Sequence, residues 1–247
     1  MEGLLLLPVG LALGFFGGVF GIGGGIIAIP MLVLWFGLEQ STAQGTALVL
    51  MVPNLLVAFW RYTRRYPVGW LSALAIAVPA SVTTWGLAHF ATRLDPLVLR
   101  IVFCVAMAVL AWRMFRLKSA VQENVEHIAP DWKPLPWIGV AGGCSMGLLG
   151  IGGGLVATPL LSGWLGFRQT VAQSLALALV APASVVALTT YATAGKVNWE
   201  MGLPLALGGL VSVSAGVAFA HRLPERRLRR GFAMVLLLTA LVMLPVA

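Results

Sequence analysis

Gly21-Ile22-Gly23-Gly24-Gly25 and Gly150-Ile151-Gly152-Gly153-Gly154 are the residues whose type and spacing could do chemistry. A glycine turn that opens a helix presents backbone N–H groups without intrahelical acceptors, at the positive end of the helix dipole. With no Cβ in the way, an anion can approach those amides closely. Glycine also accepts the left-handed angles a sharp turn needs, here expected at Gly24 and Gly153. Amides and hydroxyls accompany each turn: Gln44, Thr46 and Asn54 after the first, Gln173, Ser174 and Ser184 after the second. Buried among apolar residues, such groups need partners, and as donors they could hold an anion's oxygens without a full counter-charge. The candidate substrate-binding set is therefore Gly23, Gly24, Gly25, Gln44, Thr46, Asn54, Gly152, Gly153, Gly154, Gln173 and Ser174. The competing role is close helix packing for the glycines and helix–helix hydrogen bonding for the polar side chains.

The acidic residues narrow the cargo. Glu2, Glu39, Asp95, Glu123, Glu126, Asp131, Glu200 and Glu225 all fall in loops or at the ends of apolar segments. Cation pathways and most proton relays use buried carboxylates, so the cargo is expected to be anionic or neutral. No catalytic residue, metal site or cofactor is expected. Gly21-x-Gly23-x-Gly25 is followed by no Lys-Ser/Thr and preceded by no strand. His89, His127 and His221 do not correspond between the two halves, and Ser145 lacks a Gly-x-Ser-x-Gly elbow. Cys104 and Cys144 lie in apolar stretches and read as small core residues.

The elements that must position these residues are membrane helices. Sixty per cent of the 247 residues are hydrophobic and 10% charged, against about a quarter charged in soluble domains, and the mean hydropathy is +0.95. The basic excess of +8 sits at segment ends, which orients a membrane protein and argues against a nucleic-acid partner. The start, Met1-Glu2-Gly3, lacks the basic beginning of a signal peptide.

The two glycine runs belong to a duplication. Residues 21–32 and 150–161 agree at 8 of 12 positions, an offset of 150 − 21 = 129 that also pairs Gln44/Gln173, Pro53/Pro182, Tyr62/Tyr191, Trp70/Trp199 and Arg100/Arg229. Residues 1–117 form one repeat, with apolar segments 4–36, 43–60, 70–91 and 97–115. Residues 118–134 form a polar linker, and 135–247 the second repeat, with segments 135–165, 171–192, 201–220 and 231–247. Segment 4–36 would make a helix of about 50 Å against a hydrocarbon core of about 30 Å, and glycines interrupt it. A broken, re-entrant first segment fits better than one tilted helix. It also places the clusters at 61–65, 113–118 and 222–230 on one face, which would be cytoplasmic. The expected fold is an all-α integral membrane protein. It has two inverted-topology repeats, each with a re-entrant Gly-rich first segment and three transmembrane helices. Trp60, Trp70, Trp132, Trp137 and Trp199 read as interfacial anchors.

Gly21-Ile22-Gly23-Gly24-Gly25 with Pro30, Ala43-Gln44-Gly45-Thr46-Ala47, and Pro53-Asn54 with Trp60-Arg61-Tyr62 resemble the sulfite exporter TauE/SafE family over nearly the whole chain. Where many relatives of that family have Gly-Thr in the second copy, this chain has Ser174-Leu175. The resemblance implies a multi-pass permease of the cell inner membrane that exports sulfite or a small organosulfonate such as sulfoacetate. Its partners would be that small anion and the lipid bilayer, with a homodimer left open. A passive anion channel, or a permease or importer for another small anion, would use the same pore chemistry.

Overall fold

The computed structural model describes residues 2–20, 23–116, 133–167, 169–220 and 225–243. Gly21, His127, Trp132, His221, Arg222 and nearly all of the linker lie outside the described residues. The elements are α1 (Glu2–Phe20), α2 (Gly25–Leu34), α3 (Gln40–Arg65), α4 (Trp70–Ala91), α5 (Pro96–Arg116), α6 (Leu135–Leu149), α7 (Gly154–Gly163), α8 (Gln169–Thr193), α9 (Trp199–Ala220) and α10 (Glu225–Met243). Among the described residues there is no strand.

The glycines break both first segments. α2 starts after Gly24, whose φ is 91°, and α6 stops at Gly150, φ 66°, whose N–H bonds the Met146 carbonyl. The chain then doubles back. A Cβ on Gly17 would lie 2.5 Å from Gly24 N, and one on Gly24 would lie 2.9 Å from Leu13 O. In the second copy the backbones of Gly142 and Gly153 touch in the same way. Residues eleven apart in an unbroken helix stand about 16 Å apart, so no single tilted helix forms. α2 and α7 have 10 residues each, about 15 Å or half a hydrocarbon core.

Packing then crosses between the halves of the chain. α1 lies along α9, with Gly10 on Leu205, Gly14 on Gly209 and Gly18 on Val213. α6 lies along α4, with Gly139 on Ile76, Gly143 on Ala80 and Gly147 on Thr84. The numbers rise together in both seams, so each pair is parallel, and the four-residue spacing of small residues lets backbone meet backbone. α3 and α8 form the mostly buried centre of the bundle, and α5 packs on α10. The hydrogen bonds Tyr191–Gln44 and Tyr62–Gln173 place the start of each central helix beside the end of the other, so α3 and α8 run antiparallel.

Five helices (Gln40–Arg64, Trp70–Ala91, Pro96–Arg113, Val171–Thr193 and Trp199–Phe219) are long and apolar enough to cross a membrane. The outward faces carry large apolar side chains, among them Val78, Val82 and Trp85 on α4, Val109 and Trp112 on α5, and Val211 on α9. Lipid suits such a surface and water does not. Trp35 and Trp164, equivalent positions just past α2 and α7, are 79% and 69% exposed, and Trp70 and Trp199 open α4 and α9. Arg64 stacks over Trp60 at 4.0 Å. This distribution suits aromatic belts at two interfaces.

The seams supply a test. A Cβ on Gly147 would lie 2.6 Å from the Thr84 carbonyl, whereas one on Gly86, also within a helix, meets nothing within 4 Å. Gly147→Ala should therefore lower the melting temperature, by about 1–3 kcal/mol of stability if the seam is forced apart. Gly86→Ala should be neutral or stabilise by up to about 1 kcal/mol. Thermal melting of both variants in one detergent checks this; equal melting points would mean the seams do not depend on bare backbone.

Candidate functional site

The two turns meet at Gly150. A Cβ on Gly25 would lie 3.3 Å from the Gly150 carbonyl, and one on Gly150 would lie 3.3 Å from Gln44 Cβ. Gly23 faces Met51 and Leu55, and Met51 also covers Gly25, while Gly154 has only Val180 near it. The turns are not identical in angle. Positive φ occurs at Gly23 (69°) and Gly24 (91°) in the first and at Gly150 (66°) and Gly152 (90°) in the second. The left-handed angle expected at both Gly24 and Gly153 holds only at Gly24. Gly153 has φ −63°, because Gly152 completes the reversal and Gly153 already follows the helix.

α7 opens as a donor site. Val156 and Ala157 donate to the Gly153 carbonyl at 3.2 and 2.9 Å, and Leu155 reaches Gly152 O only at 3.5 Å. Among the described residues, the N–H groups of Gly153 and Gly154 have no acceptor. Such groups at a helix start favour negative charge.

Gln44 stands against this turn and is fully buried. Its Oε1 accepts the Tyr191 hydroxyl at 2.8 Å, and its Nε2 is buried without a partner among the described residues. An unpaired buried donor costs roughly 1–3 kcal/mol. The equivalent Gln173 is only partly buried, and its Oε1 accepts the Tyr62 hydroxyl at 2.9 Å.

The other candidates are not all brought to this point. Thr46 accepts the Asn198 N–H at 3.0 Å, and Asn198 Oδ1 in turn accepts the Met201 N–H at 3.1 Å at the start of α9. Ser174 donates to the Tyr66 carbonyl at 2.9 Å, and Ser184 to Ala181 O within its own helix at 2.7 Å. Asn54 is 2% exposed, neither of its amide atoms has a partner among the described residues, and its Nδ2 lies near Gly209 on α9. Two kinds of residue were missed by reading the sequence. Tyr62 and Tyr191 were visible there only as a repeated pair. Gln40, fully buried, likewise showed only as a repeated residue, paired with Gln169, and Ser145 only as a polar one; among the described residues neither end of the Gln40 amide nor the Ser145 hydroxyl has a partner.

Beside Gln44, the turn after α8 grips the start of α3. Lys196 Nζ bonds both Glu39 carboxylate oxygens at 2.9 and 3.0 Å, and Gly45 rests on the Lys196 carbonyl. The hydrogen bond from Lys196 holds the Glu39 carboxyl below its ordinary 4.5, against a smaller opposing effect of burial. Asp95 and Glu200, like Glu39, stand at helix ends.

Comparison with known proteins follows the same outline. The family model for the sulfite exporter TauE/SafE matches residues 6–243. A probable membrane transporter protein of Methanocaldococcus jannaschii is 26% identical over 262 residues, covering 98% of this chain and 97% of its own. One from Haemophilus influenzae is 27% identical over 262 residues, covering 97% of both chains. One from Xylella fastidiosa is 26% identical over 240 residues, covering 94% of this chain and 90% of its own.

The adjacent glycines of turn two separate packing from binding. A Cβ on Gly153 would collide with the Gly142 carbonyl, whereas one on Gly154 would make ordinary 3.5 Å contact with Val180. Gly153→Ala should reduce the yield of folded protein, and Gly154→Ala should fold at wild-type yield. Size-exclusion profiles and melting curves of the two variants check this, and equal yields would remove the packing role assigned to Gly153.

Proposed function

The chain belongs to the sulfite exporter TauE/SafE family, a family of membrane transporters, and we propose that it is a secondary transporter exporting a small sulfur-containing anion. Sulfite or an organosulfonate such as sulfoacetate is the proposed cargo. The observation that carries the reading is the Gln44 Nε2 donor, fully buried against the Gly150 turn that leads into α7; among the described residues it has no partner, and neither have the Gly153 and Gly154 N–H groups. Neutral donors can bind an anion and release it, since no fixed opposite charge holds it. Gly23, Gly24, Gly25 and Gly152 shape the turns around this point, with Gln173 as the counterpart of Gln44. Thr46 and Ser174 support the site through the turns they hold, and Asn54 adds a second unpaired amide deeper along α3.

Two repeats of opposite orientation are part of the proposal. What supports it is the antiparallel run of α3 against α8, which are equivalent helices, together with the parallel seams of α1 with α9 and α6 with α4. In that arrangement α1–α2 enters and leaves from the outer face and α6–α7 from the cytoplasmic face of the inner membrane. An anion leaving a negative-inside cell gains roughly 2.3 kcal/mol per charge per 100 mV, so the membrane potential suffices to drive export.

Proteoliposomes should show saturable, potential-dependent flux and counterflow with sulfite or sulfoacetate. Gln44→Ala should weaken binding by about 1–3 kcal/mol, the value of a hydrogen bond to a charged ligand. Ohmic single-channel currents would replace the carrier by a channel, and no flux with any sulfur anion would reject the cargo.

Orientation is tested separately. Single cysteines at 196 and 226 should react with impermeant maleimide from opposite faces of intact cells or inverted vesicles. Labelling from one face would refute the inverted arrangement.

A further inference from the structure

We infer that Tyr191 and Tyr62 are positioning residues. Each hydroxyl fixes the carboxamide of the glutamine on the opposite central helix so that its N–H₂ end faces the cargo. The inference rests on the anion reading above and names what gives that site its sign.

A carboxamide has an acceptor end and a donor end of nearly equal shape, and half a turn about its last torsion exchanges them. Unconstrained, Gln44 could offer oxygen to a cation as readily as nitrogen to an anion. In the structure Tyr191 sets that choice. Its hydroxyl donates to Gln44 Oε1 at 2.8 Å, the shorter of its two contacts, with the Gly147 carbonyl 3.2 Å away as the competing acceptor. With Oε1 occupied, Nε2 is the end without a partner among the described residues. The phenol cannot swing away: Tyr191 is fully buried, and its Cβ would lie 3.1 Å from a Cβ on Gly45.

The pairing recurs. Tyr62 donates to Gln173 at 2.9 Å, at positions 191 − 129 = 62 and 44 + 129 = 173. Because α3 and α8 are antiparallel, the pairs stand at opposite ends of their seam. On α3 they are 62 − 44 = 18 residues apart, about 27 Å along the axis. A cargo following that seam meets an amide turned donor-first at each end.

The test uses the purified full chain with Tyr191→Phe and Tyr62→Phe, which remove a hydroxyl and keep the ring. Affinity for sulfite and sulfoacetate is measured by calorimetry, and the concentration dependence of flux in proteoliposomes. Expected are about tenfold rises in Kd and KM, with maximal rate and folded yield within about twofold of wild type. In a Gln44→Ala background, Tyr191→Phe should cause no further loss, because the tyrosine acts only through that amide. Wild-type affinity in the tyrosine variants, or an added loss without Gln44, would overturn the assignment. If Tyr191→Phe fails to fold, the partly buried Tyr62→Phe with Gln173→Ala decides. A ligand-free readout separates this inference from the cargo reading. The Gln44 side-chain amide resonances, identified by their loss in Gln44→Ala, should move in Tyr191→Phe. If wild type binds no sulfur anion, the cargo reading fails while moved resonances uphold the hydroxyl's hold on the Gln44 amide, and unmoved resonances overturn it.

Discussion

Direct contact of backbone with backbone along α1–α9 and α6–α4 is the constraint on which the rest of the architecture depends. In lipid, helices gain nothing by hiding apolar surface from one another, so association relies on close packing. Gly139, Gly143 and Gly147 bring α6 onto α4 without side chains between them, and Gly10, Gly14 and Gly18 do the same for α1 on α9. These seams carry each half-helix across to the other half of the chain. There its turn reaches the central pair α3–α8, which is why Gly150 of the second copy lies against Gln44 of the first.

The two roles considered for the glycines are thus divided by position. Gly24 and Gly153 close the hairpins against Leu13 and Gly142, and bare backbone there is a steric requirement. Gly154 has room for a methyl group, yet its N–H is among those without an acceptor. Packing and ligand presentation are carried by neighbouring residues of one motif. A substitution that harms transport is therefore informative only where the fold tolerates it.

Sequence alone made the helical segments and the breaks legible, because each is a local matter of composition: long apolar runs and clustered glycines. It identified Gln44 as a buried amide for the same reason. It could not distinguish Gln44 from Thr46 or Ser174, since all three are polar residues in apolar helices. The difference is made by what faces them. Asn198 and Tyr66 satisfy Thr46 and Ser174, whereas Tyr191 bonds one end of Gln44 and the other has no partner among the described residues. Those partners lie more than a hundred residues away, beyond any periodicity. The angle at Gly153 was misjudged because an identical motif need not reverse at the same residue.

Duplication supplies two ends of one scaffold, and substitution has set their strengths separately. At the Gln44 end, Tyr191 is fully buried, Thr46 holds the α8–α9 turn, and Lys196 pairs with Glu39. The positions equivalent to Glu39 and Lys196 are Arg168 and Pro67, so that ion pair cannot be repeated at the Gln173 end. There Tyr62 and Gln173 are only partly buried, and the Ser174 bond to Tyr66 secures the turn. A half-exposed ion pair adds at most about 1 kcal/mol. The larger difference is burial, because breaking the Tyr191–Gln44 bond strands both groups away from water, whereas solvent can reach the other pair. Equivalent hydrogen bonds on equivalent residues thus hold the two ends of the α3–α8 seam with unequal strength.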